Sequence, residues 1–259
     1  MRFCSFQFWA SLLSLLAATP WAAADSPEVP APSAEQLLLV IVPDWQATDG
    51  TLQRFDRSES GEWSAAGPLT RVTVGRSGCG WGIGCHPPQS NGPTKQEGDG
   101  RSPAGIFTIG TAFGNEPRLE TKLPYLPLDE GHWCIDVATS PLYNKIVHEK
   151  DAGRAAINGS SEPMRRDIHL NGDLQYRLGF VIEHNPNRQP AAGSCIFVHP
   201  WVNQHTPTAG CVAMAERSLR ETLAWLDVSK KPHLALLPRD AYQRLQAMWH
   251  LPASFGLDR

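Results

Sequence analysis

The residues with the clearest chemical potential are a histidine and a cysteine twelve positions apart, His199 and Cys211. Both lie in Ser194–Met214, SCIFVHPWVNQHTPTAGCVAM. His199 ends an apolar run, and Cys211 directly follows Gly210. A thiol attacks an acyl group as the thiolate, and a neighbouring imidazole can take its proton and pass it on. A glycine before the nucleophile allows a tight turn and leaves backbone N–H groups to hold an oxyanion. His199 is therefore read as base and Cys211 as nucleophile, with oxyanion donors near Gly210. The bland alternative is a buried structural cysteine beside a satisfied histidine, which is common.

The wider pattern favours chemistry. His199, followed by Thr208–Ala209–Gly210–Cys211–Val212, resembles the motif of the L,D-transpeptidase catalytic-domain family. A second block agrees in type and order: Lys95–Phe107, KQEGDGRSPAGIF, is similar to that family's Gly-Asp-Gly-x-Ser/Thr-Pro-x-Gly-x-Phe segment. The likeness runs from about Leu37 to about Leu237. It departs at Ala209, where the family usually has His, and at Ala213, where it usually has Arg. That Arg positions the cysteine turn or the substrate, so the substrate-orienting group is left open. The resemblance implies acyl transfer on peptidoglycan tetrapeptide stems, releasing D-Ala. The product would be a 3–3 crosslink or a protein attached to the wall. The departures keep open a hydrolase on the same fold, an L,D-carboxypeptidase or amidase. A non-catalytic wall-binding module is the third reading. No cofactor or metal is expected. Arg101 and Trp201 are the candidate substrate-binding residues; the guanidinium fork of Arg101 matches a carboxylate bidentately. Thr208 is a candidate for orienting the turn or the histidine through its hydroxyl.

These residues need a frame, and the frame reads as mainly β. Glycine and proline, 22 of each, punctuate short apolar runs. Leu37–Val42 reads as a buried strand, and Asp49–Gly50 as the turn into a hairpin strand, Thr51–Phe55. Further strands are expected at Arg71–Gly75, Gly105–Ile109, Trp133–Val137, Leu178–His184, Cys195–His199 and Leu234–Leu237. In Cys195–His199, Ile196 and Val198 point to one face, and Cys195, Phe197 and His199 to the other. Pro200 should end that strand. Two late helices are expected. In Glu216–Leu226, residues Leu219, Leu223 and Leu226 form a stripe. Arg239–Trp249 has Asp240 as cap and Ala241, Leu245 and Met248 on one side. The fold class is a β-sandwich or barrel with two late helices, as the family resemblance also implies.

Met1–Ala24 reads as a cleavable secretory signal: Arg2, an apolar core Phe6–Ala18, then Ala22–Ala23–Ala24. Residues 25–36 read as a flexible spacer and 37–259 as one catalytic domain. The expected location is the periplasm, with no stable membrane span. A net charge of −3 without a basic run argues against nucleic acid as partner.

Cleavage would leave five cysteines, Cys79, Cys85, Cys134, Cys195 and Cys211. In an oxidising compartment four can pair and one thiol remains. Cys79–Cys85 with Cys134–Cys195 is the preferred pairing of three. Cys195 is a poor nucleophile because it sits about 13 Å along the strand from His199. Cys79, Cys85 and His86 do not have a usual zinc spacing. Gly75–Gly82 reads as a tight loop with a packed Trp81. Asp136, Ser140, Tyr143 and Asn144 read as a structural turn; Tyr176 and His184–Asn185 invite the same structural reading.

Overall fold

The computed structural model describes residues 29–253 together with Met1, so the signal-peptide reading lies outside the described residues. In chain order the strands begin with β1 (Gln36–Val42), β2 (Asp49–Arg57), β3 (Trp63–Ala65), β4 (Thr70–Thr73), β5 (Cys79–Trp81) and β6 (Ser102–Gly114). Then come β7 (Tyr125–Pro127), β8 (His132–Cys134), β9 (Ile146–His148), α1 (Glu149–Ala152) and α2 (Arg154–Ile157). β10 (Glu162–Pro163), α3 (Arg166–His169), β11 (Leu178–Ile182), β12 (Phe197–Pro200) and β13 (Val212–Met214) lead to α4 (Glu216–Trp225), β14 (His233–Pro238) and α5 (Arg239–Leu245).

The main sheet runs β1-β14-β6-β11-β12-β13-β4-β2, and β2 pairs back to β1, so the path closes as a barrel. Closure leaves no unpaired edge on that path. Each residue of β1, QLLLVIV, is buried. β1 pairs parallel with β14 and antiparallel with β2, and α5 packs against β1 and β14. A strand covered on both faces carries a continuous apolar run rather than an alternating one. β6 is the longest strand, and Gly105 allows it to pass His86: at φ +136°, a Cβ there would lie 1.8 Å from His86 Nε2.

A smaller sheet, β10-β8-β9, stands beside the barrel. Cys134 on β8 is disulfide-bonded to Cys195, across 61 positions of sequence, just before β12. Between the small sheet and the barrel lies a second core of Phe113, Leu128, Met164, Tyr176 and Phe197 around Cys134, Cys195 and Cys211. The rings of Phe113, Tyr176 and Phe197 meet edge-to-face, with centroids 5.2–6.0 Å apart.

The mainly-β class and both late helices agree with the sequence reading; their stripes are buried at Leu219 and Leu223, and at Ala241 and Leu245. Details differ. The β1–β2 hairpin turns at residues 43–48, where Asp44 Oδ1 accepts from the N–H groups of Gln46 and Ala47. Asp49 and Gly50 already belong to β2. β12 runs one residue past the expected end at His199: Pro200 pairs with Met214 in the parallel ladder, and Trp201 N–H supplies the next bond, to Met214 O. Pro238, not Asp240, is the N-cap of α5. Met248 is exposed, and Trp249 takes the buried place.

The Cys79–Cys85 pairing is also corrected. Cys79 is buried and Cys85 exposed, both as free thiols. Cys79 sits opposite Ser102, and Cys85 N–H donates to Ile106 O, four residues further along β6. At ~3.3 Å per residue the two stations are about 13 Å apart, beyond the reach of a disulfide.

The Cys134–Cys195 bridge closes a long loop. Replacing both with serine should lower unfolding stability by about 4 kcal/mol in a denaturant titration. A change under about 1 kcal/mol would show that packing alone holds the small sheet in place.

Candidate active site

β12 and β13 run parallel, with Val198 opposite Val212 and His199 opposite Ala213. Side chains alternate along each strand, so Phe197 and His199 share a face with Cys211 and Ala213. The opposite face carries Ile196, Val198 and Val212 into the barrel core. The alternation read from the sequence thus holds, and it delivers His199 and Cys211 to one cavity of about 530 Å³.

The turn before Cys211 is held on both sides. Thr208 Oγ1 donates to Cys211 O at 2.6 Å and accepts from Gly210 N–H at 3.1 Å. Ser102 Oγ donates to the same Cys211 carbonyl at 2.8 Å and accepts from Gly75 N–H at 2.9 Å. Thr208 is also knitted to the start of the glycine-rich loop, through Thr208 N–H to Val74 O and Arg76 N–H to Thr208 O. Gly210 sits at φ +156°, where any side chain is strained. The Lys95–Phe107 block therefore braces the back of the cysteine turn through Ser102, while Lys95, Glu97 and Gly98 line the cavity itself.

His199 is 3 % exposed, and its Nδ1–H donates to Pro200 O at 2.8 Å. That bond leaves the lone pair on Nε2. Burial lowers the His199 pKa to about 4, so the ring is neutral at pH 7. Burial also pushes the Cys211 thiol up to about 12, with the Glu162 carboxylate adding to the rise. The sulfur accepts from Phe197 N–H at 3.3 Å and donates to Cys195 O at 3.6 Å; Phe197 N–H and the Tyr176 hydroxyl act against the rise in its pKa. The resting site is thus a neutral thiol and a neutral imidazole lining one cavity, with the thiol hydrogen turned to Cys195 O rather than to the ring.

Several cavity residues have no signature in the sequence. Tyr176 is buried, meets His199 at a ring-centroid distance of 5.3 Å and donates to Glu162 Oε2 at 2.9 Å. Burial raises the Glu162 carboxyl above its ordinary value, against the pull of Arg166. Arg166 stacks over the Tyr176 ring at 4.8 Å, pairs with Asp173 at 2.7 Å and approaches Glu162 at 3.6 Å. Arg76 and Lys95 also line the cavity. The only hint of this group is the dense charge of Glu162–Asp167, EPMRRD.

Arg101 and Trp201 do not line the cavity. The Arg101 guanidinium donates to the carbonyls of Trp45 and Cys79, at 3.2 and 3.0 Å, which orders the glycine-rich loop. Arg166 and Arg76 supply the cavity's positive charge instead, since the Lys95 ammonium at its wall pairs with Asp99 at 2.7 Å. Gly210 N–H is likewise not free, because Thr208 takes it; among the described residues none accepts from the Cys211 N–H.

The Tyr143–Asn144 turn is structural in a specific way. Asn144 Oδ1 accepts from Cys195 N–H at 2.9 Å, and the Tyr143 hydroxyl donates to Glu97 and accepts from Gly193 N–H. Asp136 stands apart, lining the cavity while holding Ser160 and Ser161. His184 is locked between Ile83 N–H and Ala192 O.

Away from the cavity, Asp129, His132 and His148 bring three possible metal-ligand atoms within 4.8 Å of one another. Their polarity is wrong for a metal. The far nitrogen of a ligating histidine normally donates, whereas His148 Nδ1 accepts from Lys150 N–H as the cap of α1. His132 Nδ1 already accepts from Asp129 N–H.

A thiol and a neutral imidazole in one cavity of a closed β-barrel define a candidate thiol-dependent acyl-transfer site. Residues 66–233 match the family model of the L,D-transpeptidase catalytic domain, YkuD, and the chain belongs to that family. Among curated proteins, none matches the chain.

His184 and His199, both lowered to about 4 by burial, set a limit on acid stability. Unfolded histidines titrate near 6.5, so between pH 6.5 and 4 the unfolded chain binds more protons than the folded one, and stability falls as pH falls. Each histidine should cost about 3 kcal/mol once the pH is below 4. Melting temperature measured from pH 7 to pH 4 should therefore drop steadily, and His184→Gln should flatten the slope. A flat profile in the native protein would contradict the burial of these rings.

Proposed function

We propose that the protein is an exported L,D-transpeptidase that uses Cys211 to transfer peptidoglycan stem peptides. The observation that carries this reading is the unbridged Cys211 lining one cavity with a neutral His199 whose Nδ1 is held by Pro200 O. The Cys211 sulfur attacks the amide carbonyl between the third stem residue, a diamino acid, and the terminal D-Ala. Because thiol and imidazole are both neutral at rest, the proton moves to His199 Nε2 as the C–S bond forms, and no standing thiolate is needed. His199 then gives that proton to the leaving D-Ala amine. The Cys211 N–H faces the oxyanion in this scheme, and Thr208 and Ser102 keep the turn in shape for it. The Tyr176 hydroxyl steadies developing charge on sulfur by turning from Glu162. Arg166 and Arg76 are the groups suited to stem carboxylates. An amine of a second stem, or of a wall-attached protein, resolves the thioester. Export is proposed from the N-terminal segment, with the periplasm as destination.

Glu162 favours a second reading, hydrolysis at the same thioester. Its carboxyl lines the cavity with a raised pKa, as a base for water would. The two readings separate by product: a crosslinked dimer, or a shortened stem peptide.

The test uses purified protein with a disaccharide tetrapeptide, with and without an amine acceptor, read by mass spectrometry. Wild-type protein should form a thioester at Cys211 and release D-Ala. Cys211→Ala should abolish both, and His199→Ala should cut turnover on the order of a thousandfold with folding intact. Arg166→Gln should raise KM about tenfold with a smaller change in kcat. Turnover that survives Cys211→Ala would end the proposal.

A further inference from the structure

A second thiol–imidazole pair lies outside the cavity. Cys85 is fixed alongside β6 by its N–H bond to Ile106 O at 2.7 Å. Thr108 of β6 and His233 of β14 are directly opposed across an antiparallel pair. Their side chains therefore leave the sheet on one face, with Cβ atoms about 5 Å apart. The Cys85 sulfur lies 3.5 Å from Thr108 Oγ1, the residue that His233 faces across the two strands. The His233 ring is only 8 % exposed and cannot turn freely, because Nδ1–H donates to Lys231 O at 2.8 Å. The lone pair on Nε2 is left for the sulfur. The polarity is the one found at His199 and Pro200 O.

The two sites differ in solvent access. Cys211 and Cys79 are buried, and burial pushes both thiols up to about 12. Cys85 is exposed, and the neighbouring His233 ring, with Thr108, holds the thiol below the ordinary cysteine value. An exposed thiol with a depressed pKa reacts first with disulfides and soft electrophiles.

We propose that Cys85 is a modification site that takes up small oxidised thiols as a mixed disulfide, with the buried His233 ring as its base. His233 Nε2 accepts the Cys85 proton, and the sulfur attacks one sulfur of the incoming R–S–S–R. The Cys85–S–S–R bond forms as the R–S–S–R bond breaks, and the departing R–S⁻ leaves with the proton from His233. The external disulfide is the only oxidant. Cys79, about 13 Å away along β6, cannot resolve the adduct, so it persists until an external thiol removes it.

The probe is oxidised glutathione added to the full native chain, with adducts located by peptide mapping. Cys85 should acquire one glutathionyl group before Cys79 or Cys211, at least tenfold faster than an unstructured cysteine peptide at pH 7. Cys85→Ser should remove that fast phase and leave turnover of wall peptide unchanged; Cys211→Ala should leave the fast phase intact. His233→Gln should slow the adduct about tenfold at pH 7 but less than twofold at pH 10, where the thiol ionises unaided. If His233→Gln does not fold, the pH–rate curve of the native chain decides: its midpoint must lie below that of the reference peptide. A first adduct on Cys211 or Cys79, a midpoint at or above the reference, or equal slowing by His233→Gln at both pH values overturns the proposal.

Discussion

The parallel pairing of β12 with β13 is the constraint on which the site rests. Only that register, Val198 against Val212, sends Phe197, His199 and Cys211 to one face and Ile196, Val198 and Val212 to the other. A slip of one residue would turn the slipped strand's set to the other face: either His199 or Cys211 would enter the barrel core, and the two would no longer share a cavity. The register is enforced from both faces. On one side the barrel interior requires the aliphatic set; on the other, Phe197 is clasped by Phe113 and Tyr176. Polar bonds to the Cys211 carbonyl from Thr208 and Ser102 add a local lock, since both hydroxyls meet one acceptor.

The same burial that positions the pair also quiets it. Removing water from an imidazole and a thiol disfavours the charged form of each, in opposite directions on the pH scale. The pair therefore cannot rest as thiolate and imidazolium, and the surrounding dipoles must act when charge appears. Tyr176, placed between Glu162 and the sulfur, is the group best situated to respond.

Much of this was legible from residue order. The alternation in Cys195–His199, the glycine before Cys211, the buried β1 run and the stripes of the two late helices all follow from period and turn chemistry. Cys79–Cys85 with Cys134–Cys195 was one of three connectivities that arithmetic allowed; the second bridge forms, and the first does not because its two cysteines lie at separate stations alongside β6. Arg101 read as a substrate ligand because a guanidinium fork matches a carboxylate; in three dimensions two backbone carbonyls capture it. Glu162, Arg166 and Tyr176 were invisible for a different reason. They belong to a two-residue strand, a single-turn helix and a loop, none long enough to show a period. Their convergence depends on how the small sheet is attached to the barrel.

That attachment gives the Cys134–Cys195 bridge a meaning beyond cross-linking. The carbonyl that receives the Cys211 thiol hydrogen belongs to Cys195, which sits at φ +55°, a backbone state uncommon for a residue with a side chain. The bridge and the Asn144 hydrogen bond both act on that residue. A chain still carrying these two sulfurs as thiols would lack one of the supports of that backbone, and with it part of the wall around its nucleophile. The wall around the nucleophile thus borrows part of its stiffness from a covalent tie made 61 positions away in sequence.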